Sequence, residues 1–330
     1  MTGTAREPAA ETARTAGIAR TADRPAAGPP GDPVPEPGDP AAKAGGENFP
    51  VALRALPRRY RRHLMAVYRF ARLVDDVGDE GIPGGPHATA GTRERLRLLD
   101  ALDEDVIRIT SGTPRDRVIR DLVPTVRECA IPLQPFRDLI QANRQDQFVT
   151  CYKTLDELLG YCALSANPVG RIVLHIFGAA TPERLHRSNQ VCSALQLAEH
   201  WQDVLEDFGR GRVYLPGDDM ARFGCSEDDL AAVASGGPAA PAADAAPAAE
   251  RLRALMAFET DRAASLLDEG APLTGTLRGA ARVAVAGYVA GGRAALAAIR
   301  AAGHDVRAGT PRPRKSRVAA EMARAYLTGR

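Results

Sequence analysis

The chain has 330 residues, 45% hydrophobic and 25% charged, a length that supports one large or two modest domains. Its formal charge of +2 creates no field that would draw nucleic acid. Five scattered cysteines (Cys129, Cys151, Cys162, Cys192, Cys225) lack CxxC or other metal-ligand spacing, as expected of free thiols in a reducing cytoplasm.

Residues 1–44 are rich in Ala, Pro, Thr, Gly and Arg and carry almost no large apolar side chains. Such a segment buries too little surface to offset the entropy of ordering, so it reads as a disordered tail ahead of a folded domain at 45–330. It has no apolar core of the secretion-signal kind, and no apolar run in the chain reaches the length of a membrane span. The expected location is cytoplasmic.

Nearly everything over residues 56–327 reads as helix, in about eight to ten segments. The first, YRFARLVDDVGDE at 68–80, carries an acidic cluster: Asp75, Asp76, Asp79 and Glu80. At about 100° per residue, Leu64, Val67, Phe70, Ala71, Val74 and Val77 form an apolar arc. Tyr68, Arg72, Asp75 and Asp79 fall in a narrow polar column beside it. Further along, Thr113 before Pro114, Asn167 before Pro168 and Thr181 before Pro182 read as capped helix starts. Thr154 with Glu157, and Ser226 with Asp229, match the capping box.

A second acidic cluster lies in QLAEHWQDVLEDFGRGRVYLP at 196–216, supplying Asp203, Glu206 and Asp207. Gln196, Glu199, His200, Asp203 and Asp207 form its polar column, beside an apolar arc of Leu197, Ala198, Trp201, Val204, Leu205 and Phe208. Beyond it, residues 235–249 read as an Ala/Pro/Gly-rich link whose alanines are open to joining the next helix. Strand runs and Asn-Gly or Asp-Gly turns are nearly absent, so the class is all-α.

Each acidic cluster stacks like charges on one helix face, which is mildly destabilising by itself. Mg²⁺ would remove that repulsion, since it takes oxygen ligands and is held through one or two carboxylates plus substrate phosphates. Two matched polar columns on separate helices are the pattern of a cavity between bundle helices. The bland alternative is a pair of solvated acidic faces. Trp201, on the apolar side, reads as core, and His200 as a hydrogen-bonded structural residue. Arg210, Arg212 and Tyr214 are either loop residues or the closure of a phosphate site. The basic run at 312–317 is either a surface patch or a membrane-surface contact.

On these residues the chain resembles the squalene/phytoene synthase family. The family's two acidic motifs are matched by DDVGD at 75–79 and DVLED at 203–207, the second followed by GRVYLP. LLGYCALSANPVGRIVL at 158–174 stands where the family has its tyrosine-bearing helix. ENFPV at 47–51, SANPVGR at 165–171, HWQDV at 200–204 and AGGRAALAAIRAAGHDV at 290–306 resemble the hopanoid-pathway branch, which turns presqualene diphosphate into hydroxysqualene.

The resemblance implies an all-α isoprenoid-synthase bundle around an apolar cavity, with Mg²⁺ as cofactor. It implies that Asp75, Asp79, Asp203 and Asp207 hold the metal, with Asp76 and Glu80 as weaker candidates. Tyr68 and Arg72 would face the phosphates or reacting carbons, Tyr161 and Gln196 would line the cavity, and Arg212 would close on the diphosphate. Asn48 and Glu199 would lie near the substrate. The wider family has asparagine at the position of Glu199, arginine at that of Gln202, and a late-helix tyrosine near Gly292. These departures favour the specialised branch over the complete squalene synthase reaction.

The rival activity is head-to-head joining of two prenyl diphosphates such as farnesyl diphosphate, giving presqualene diphosphate, squalene or phytoene. A rival of another class is a non-catalytic helical protein that binds polyprenyl lipids. Substrates this apolar imply transient contact with the inner membrane surface and work beside other hopanoid-pathway enzymes.

Overall fold

The computed structural model describes residues 56–79, 89–236, 245–307, 309 and 311–330. All of them belong to one compact unit within Glu36–Arg330. The expected tail at 1–44, the ENFPV segment with Asn48, Glu80, and the side chain of Asp79 lie outside the described residues.

Fourteen helices and no named strand are found among the described residues. They are α1 (Arg58–Asp79), α2 (Thr89–Ile107), α3 (Arg117–Glu128), α4 (Gln134–Gln145), α5 (Leu155–Ser165), α6 (Asn167–Ile176) and α7 (Pro182–Gln202), followed by α8 (Val204–Gly209), α9 (Gly217–Arg222), α10 (Glu227–Gly236), α11 (Ala245–Gly270), α12 (Leu273–Thr276), α13 (Gly279–Ala301) and α14 (Lys315–Thr328). The count exceeds the eight to ten expected because α8, α9 and α12 are short pieces of six, six and four residues. Pattern reading merges such pieces with their neighbours, since they are shorter than the window that reveals a period.

The apolar arcs explain the packing. Leu64, Val67, Phe70, Val74 and Val77 of α1 are buried, and α1 packs on α2, α3, α4 and α6. The Phe70 ring meets Phe136 of α4 edge to face at 5.3 Å. In the second half, α7 packs on α6, α11 and α13, with Trp201 fully buried in the core as expected. Helix α13 is long and apolar enough to cross a membrane by length and composition, contrary to the sequence expectation, with a mean hydropathy of 1.2. Its window is 61% buried, and it packs against α7, α11 and α14, which is the environment of a core helix.

The capping expectations divide. Thr154 and Thr181 accept from the backbone N–H groups of Glu157 (3.2 Å) and Arg184 (3.3 Å). Ser226 and Asp229 exchange reciprocal bonds, Ser226 N–H to Asp229 Oδ2 at 2.9 Å and Asp229 N–H to Ser226 Oγ at 3.3 Å. Thr113 does not start a helix. Asp116 caps α3 instead, accepting from Val118 and Ile119, because a carboxylate reaches the orphan N–H groups with full charge. Asn167 is already helical, and its buried side chain accepts from Ser193 Oγ of α7 at 3.0 Å. Tertiary contact here displaces the local capping role. The alanines from Ala245 onward join α11, so the 235–249 segment is only partly a link; residues 237–244 lie outside the description.

The largest departure concerns the second acidic motif. The sequence pattern implies one continuous helix through Asp203. The chain breaks there: Asp203 sits at φ −108°, ψ 14° between α7 and α8. The interruption is one residue long: Asp203 N–H still bonds Glu199 O at 3.0 Å, and Asp207 N–H bonds Asp203 O at 2.8 Å.

Candidate active site

A cavity of about 250 Å³ opens between α1, α4, α5 and α7. It is lined by Asp75, Leu139, Ala142, Asn143, Asp146, Tyr161, Ser165, Gln196 and Arg212. Leu139 and Ala142 are its apolar members, so this chamber is polar where an apolar one was expected. From the polar columns of α1 and α7, Asp75 and Gln196 face it, while the apolar arcs pack into the protein.

Asp75 opens the DDVGD motif in the last turns of α1. Its Oδ1 accepts from Asn143 Nδ2 of α4 at 3.3 Å. This approach depends on Gly78, one turn later. A Cβ there would stand 2.0 Å from Asn143 Oδ1. Gln147 fixes the same corner by donating to the carbonyls of Gly78 (3.1 Å) and Asn143 (3.0 Å), and its Oε1 accepts from Arg95 at 2.5 Å.

The α5 wall supplies Tyr161, whose hydroxyl donates to Asp146 Oδ2 at 3.0 Å. Burial holds the Tyr161 phenol well above its ordinary pKa, with the Asp146 charge acting in the same direction. It is a protonated donor with an electron-rich ring at physiological pH. Tyr152 and Tyr214 stand around it with ring centroids 5.5 and 6.1 Å away.

The remaining wall comes from α7 and the GRVYLP segment. That segment runs parallel to residues 150–153: Val213 N–H bonds Thr150 O at 2.7 Å, and Gly217 N–H bonds Tyr152 O at 3.0 Å. It thereby holds Arg212 into the cavity and lays Tyr214 flat on His200, with ring centroids 3.6 Å apart and planes 15° from parallel. Arg212 Nη1 also donates to Tyr214 OH at 3.3 Å. Gln196 Nε2 lies 3.2 Å from His200 Nε2, and His200 Nδ1 lies 3.8 Å from Asp207 Oδ2. Burial lowers the His200 pKa; Asp207 opposes that shift.

Of the sequence-derived candidates, Asp75, Tyr161, Gln196 and Arg212 meet in one cavity. Arg72 donates to Asp76 at 2.7 Å along α1, and Tyr68 is buried on the same helix. Asp207 joins the site's edge through His200, and Asp203 occupies the helix break, part-buried. Glu199 is solvent-exposed. Arg210 is exposed too and pairs with Glu206 at 2.6 Å, which makes it the loop residue and Arg212 the cavity residue.

The profile of the squalene/phytoene synthase family matches residues 42–322. The chain belongs to that family. Among curated relatives, this squalene/phytoene synthase family member is 34% identical to a hydroxysqualene synthase of Sinorhizobium fredii over 190 residues, 57% of this chain and 61% of that protein. It is 32% identical to a phytoene synthase of Mycobacterium bovis over 219 residues, 66% of this chain and 65% of that one. The matched region thus spans less than two thirds of either relative. The solved squalene synthase HpnC of Alicyclobacillus acidocaldarius is 38% identical, with a TM-score of 0.69 over 80% of this chain and 91% of that one.

Three polar lining residues were not among the sequence-derived site candidates: Asn143, Asp146 and Ser165. Asn143 and Asp146 are three apart near the end of α4, the same helical spacing that exposed the two acidic motifs. They lacked a second acidic neighbour to mark them. The cavity's carboxylate and amide oxygens are hard ligands, the kind that suits the Mg²⁺ expected from the sequence. Among the described residues no three His, Cys, Asp or Glu form a ready-made cage.

Proposed function

We propose that this family member is a hydroxysqualene synthase: it ionises presqualene diphosphate, the cyclopropylcarbinyl cation rearranges, and water captures it to give hydroxysqualene and diphosphate. The observation that carries this reading is the meeting of Asp75, Tyr161, Gln196 and Arg212 in one polar cavity, although they are up to 137 positions apart in sequence. The likeness to a hydroxysqualene synthase and to squalene synthase HpnC supports it.

Breaking the carbon–oxygen bond builds negative charge on the leaving diphosphate. Arg212 meets that charge with its guanidinium fork, in a site where part-burial strengthens the attraction. Asp75, Asp79, Asp203 and Asp207 would hold Mg²⁺, which when bound supplies Lewis-acid stabilisation of the same developing charge. The ring of Tyr161, kept neutral by burial, offers an electron-rich face to the cation. Glu199 and Gln202 replace the asparagine and arginine of the wider family, and Gln202 instead donates to the Pro311 carbonyl, so it is occupied as a fold contact. This favours an enzyme that enters at presqualene diphosphate, delivered by another enzyme of hopanoid biosynthesis. Transient membrane-surface contact follows from the apolar substrate and product.

The second reading is joining of two prenyl diphosphates, favoured by the near-equal identity to a phytoene synthase. Incubation of the purified protein with presqualene diphosphate and Mg²⁺, without NADPH, decides between them. Hydroxysqualene in the extract is the expected result. Turnover of two farnesyl or geranylgeranyl diphosphates, with presqualene diphosphate left intact, overturns it.

A further inference from the structure

Gln196, His200 and Asp207 form a chain leading from the cavity to the second acidic motif. Gln196 lines the cavity, and its Nε2 is paired with His200 Nε2 at 3.2 Å. An amide NH₂ donates and has no lone pair to accept with, so His200 Nε2 must be the acceptor and the imidazole proton sits on Nδ1. That is the side facing the Asp207 carboxylate, 3.8 Å away. At that distance the contact is electrostatic, and the negative charge favours the proton on the facing nitrogen. The His200 ring has no freedom to turn: it is 6% exposed and lies flat against Tyr214.

His200 takes one of the two N–H groups of the Gln196 amide and so fixes the plane of that amide; of the groups left, only the carbonyl oxygen can accept a hydrogen bond from water. We propose that Asp207 and His200 act as positioning residues that lock the Gln196 amide, so that Gln196 Oε1 accepts a hydrogen bond from the water that captures the cation. This rests on the hydroxysqualene reading and assigns the group that reading leaves open. In the capture step the water oxygen donates an electron pair to the cation and forms the new carbon–oxygen bond. The oxonium then sheds one proton to the diphosphate released in the first step. Gln196 itself changes neither charge nor protonation. It holds the water with a lone pair aimed at the carbon.

The test uses the full chain, presqualene diphosphate and saturating Mg²⁺, and measures hydroxysqualene formed per diphosphate released. His200→Phe keeps a flat ring against Tyr214 but removes the acceptor. His200→Gln places an amide oxygen near the position of Nε2 and restores it. In His200→Phe the ratio should fall about tenfold, the size of one lost hydrogen bond, as the cation escapes to alkenes or misplaced alcohols. In His200→Gln it should recover to within about twofold of the parent, because the acceptor is back. Gln196→Leu should match His200→Phe. Equal ratios in His200→Phe and His200→Gln, whether both retained or both lost, overturn the proposal. A parent enzyme that releases diphosphate yet forms no hydroxysqualene overturns the reaction itself, an outcome visible before any variant is made.

Discussion

Gly78→Ala isolates the cost of building this cavity. In a helix interior the change is favourable by about 0.5–1 kcal/mol, an upper bound for Gly78, the penultimate residue of α1. Here the new Cβ would lie 2.0 Å from Asn143 Oδ1, 2.9 Å from its Cγ and 3.3 Å from its Cβ. Asn143 is 8% exposed, so it has nowhere easy to go. Its rotation surrenders the bond to the Asp75 carboxylate, worth about 1.5–3 kcal/mol for a charged acceptor. The strained rotamer adds about 0.5–1.5 kcal/mol. After subtracting the helix gain, the net loss is about 2 kcal/mol, or roughly 4–8 °C in the thermal midpoint. Asp75 loses its aim as well, so the Mg²⁺ concentration for half-maximal diphosphate release should rise several-fold. Scanning calorimetry and a Mg²⁺ titration of turnover read both effects. The double variant Gly78→Ala/Asn143→Ala removes the clash and should be more stable than Gly78→Ala alone, a non-additivity expected only of touching residues. A Gly78→Ala protein at least as stable as the parent, with unchanged Mg²⁺ dependence, would refute the packing argument.

Asp75→Ala and Asp203→Ala should each lower diphosphate release by at least about 100-fold with folding retained, the loss typical of removing one preorganised charge-stabilising group; undiminished turnover removes that residue from the site. Glu259 of α11 is fully buried beside Arg262 and Asp219, and burial pushes its carboxyl up to about 8. Its folded pKa exceeds the unfolded value, so its stabilising contribution is complete below about pH 4.5 and is lost as pH rises through about 8. The thermal midpoint should therefore decline across that window, and Glu259→Gln should flatten the decline; an unchanged slope rejects the assignment. Burial raises the thiols of Cys162 to about 12 and of Cys192 and Cys225 to about 11, whereas Cys151 is exposed. Iodoacetamide at pH 8 should label Cys151 in the native protein and reach the buried Cys162 and Cys225 only after unfolding, as peptide mass spectrometry would reveal.

The all-α class, the core arcs of α1 and α7, and the caps at Thr154, Thr181 and Ser226 were legible in the sequence. Each depends on side chains within one or two turns, and local periodicity carries that information. The same holds for Asp75, Tyr161, Gln196 and Arg212, which sit in motifs dense enough to stand out. The resemblance of those motifs to a family, rather than their spacing, supplied the chemistry. What the sequence could not specify was everything created by one element meeting another. Asn143 and Asp146 entered the site because α4 lies against α1 and α5. Asn167 left its expected cap to bond Ser193 on a neighbouring helix. Arg212, rather than Arg210, reached the cavity because the GRVYLP segment is pinned beside residues 150–153. Asp203 left the helical dihedrals for one residue, and Asp207 came to lie 3.8 Å from His200. Helix phase is set by the backbone's own geometry and is written locally. The company a side chain keeps once the helices close is fixed only when distant surfaces are packed together.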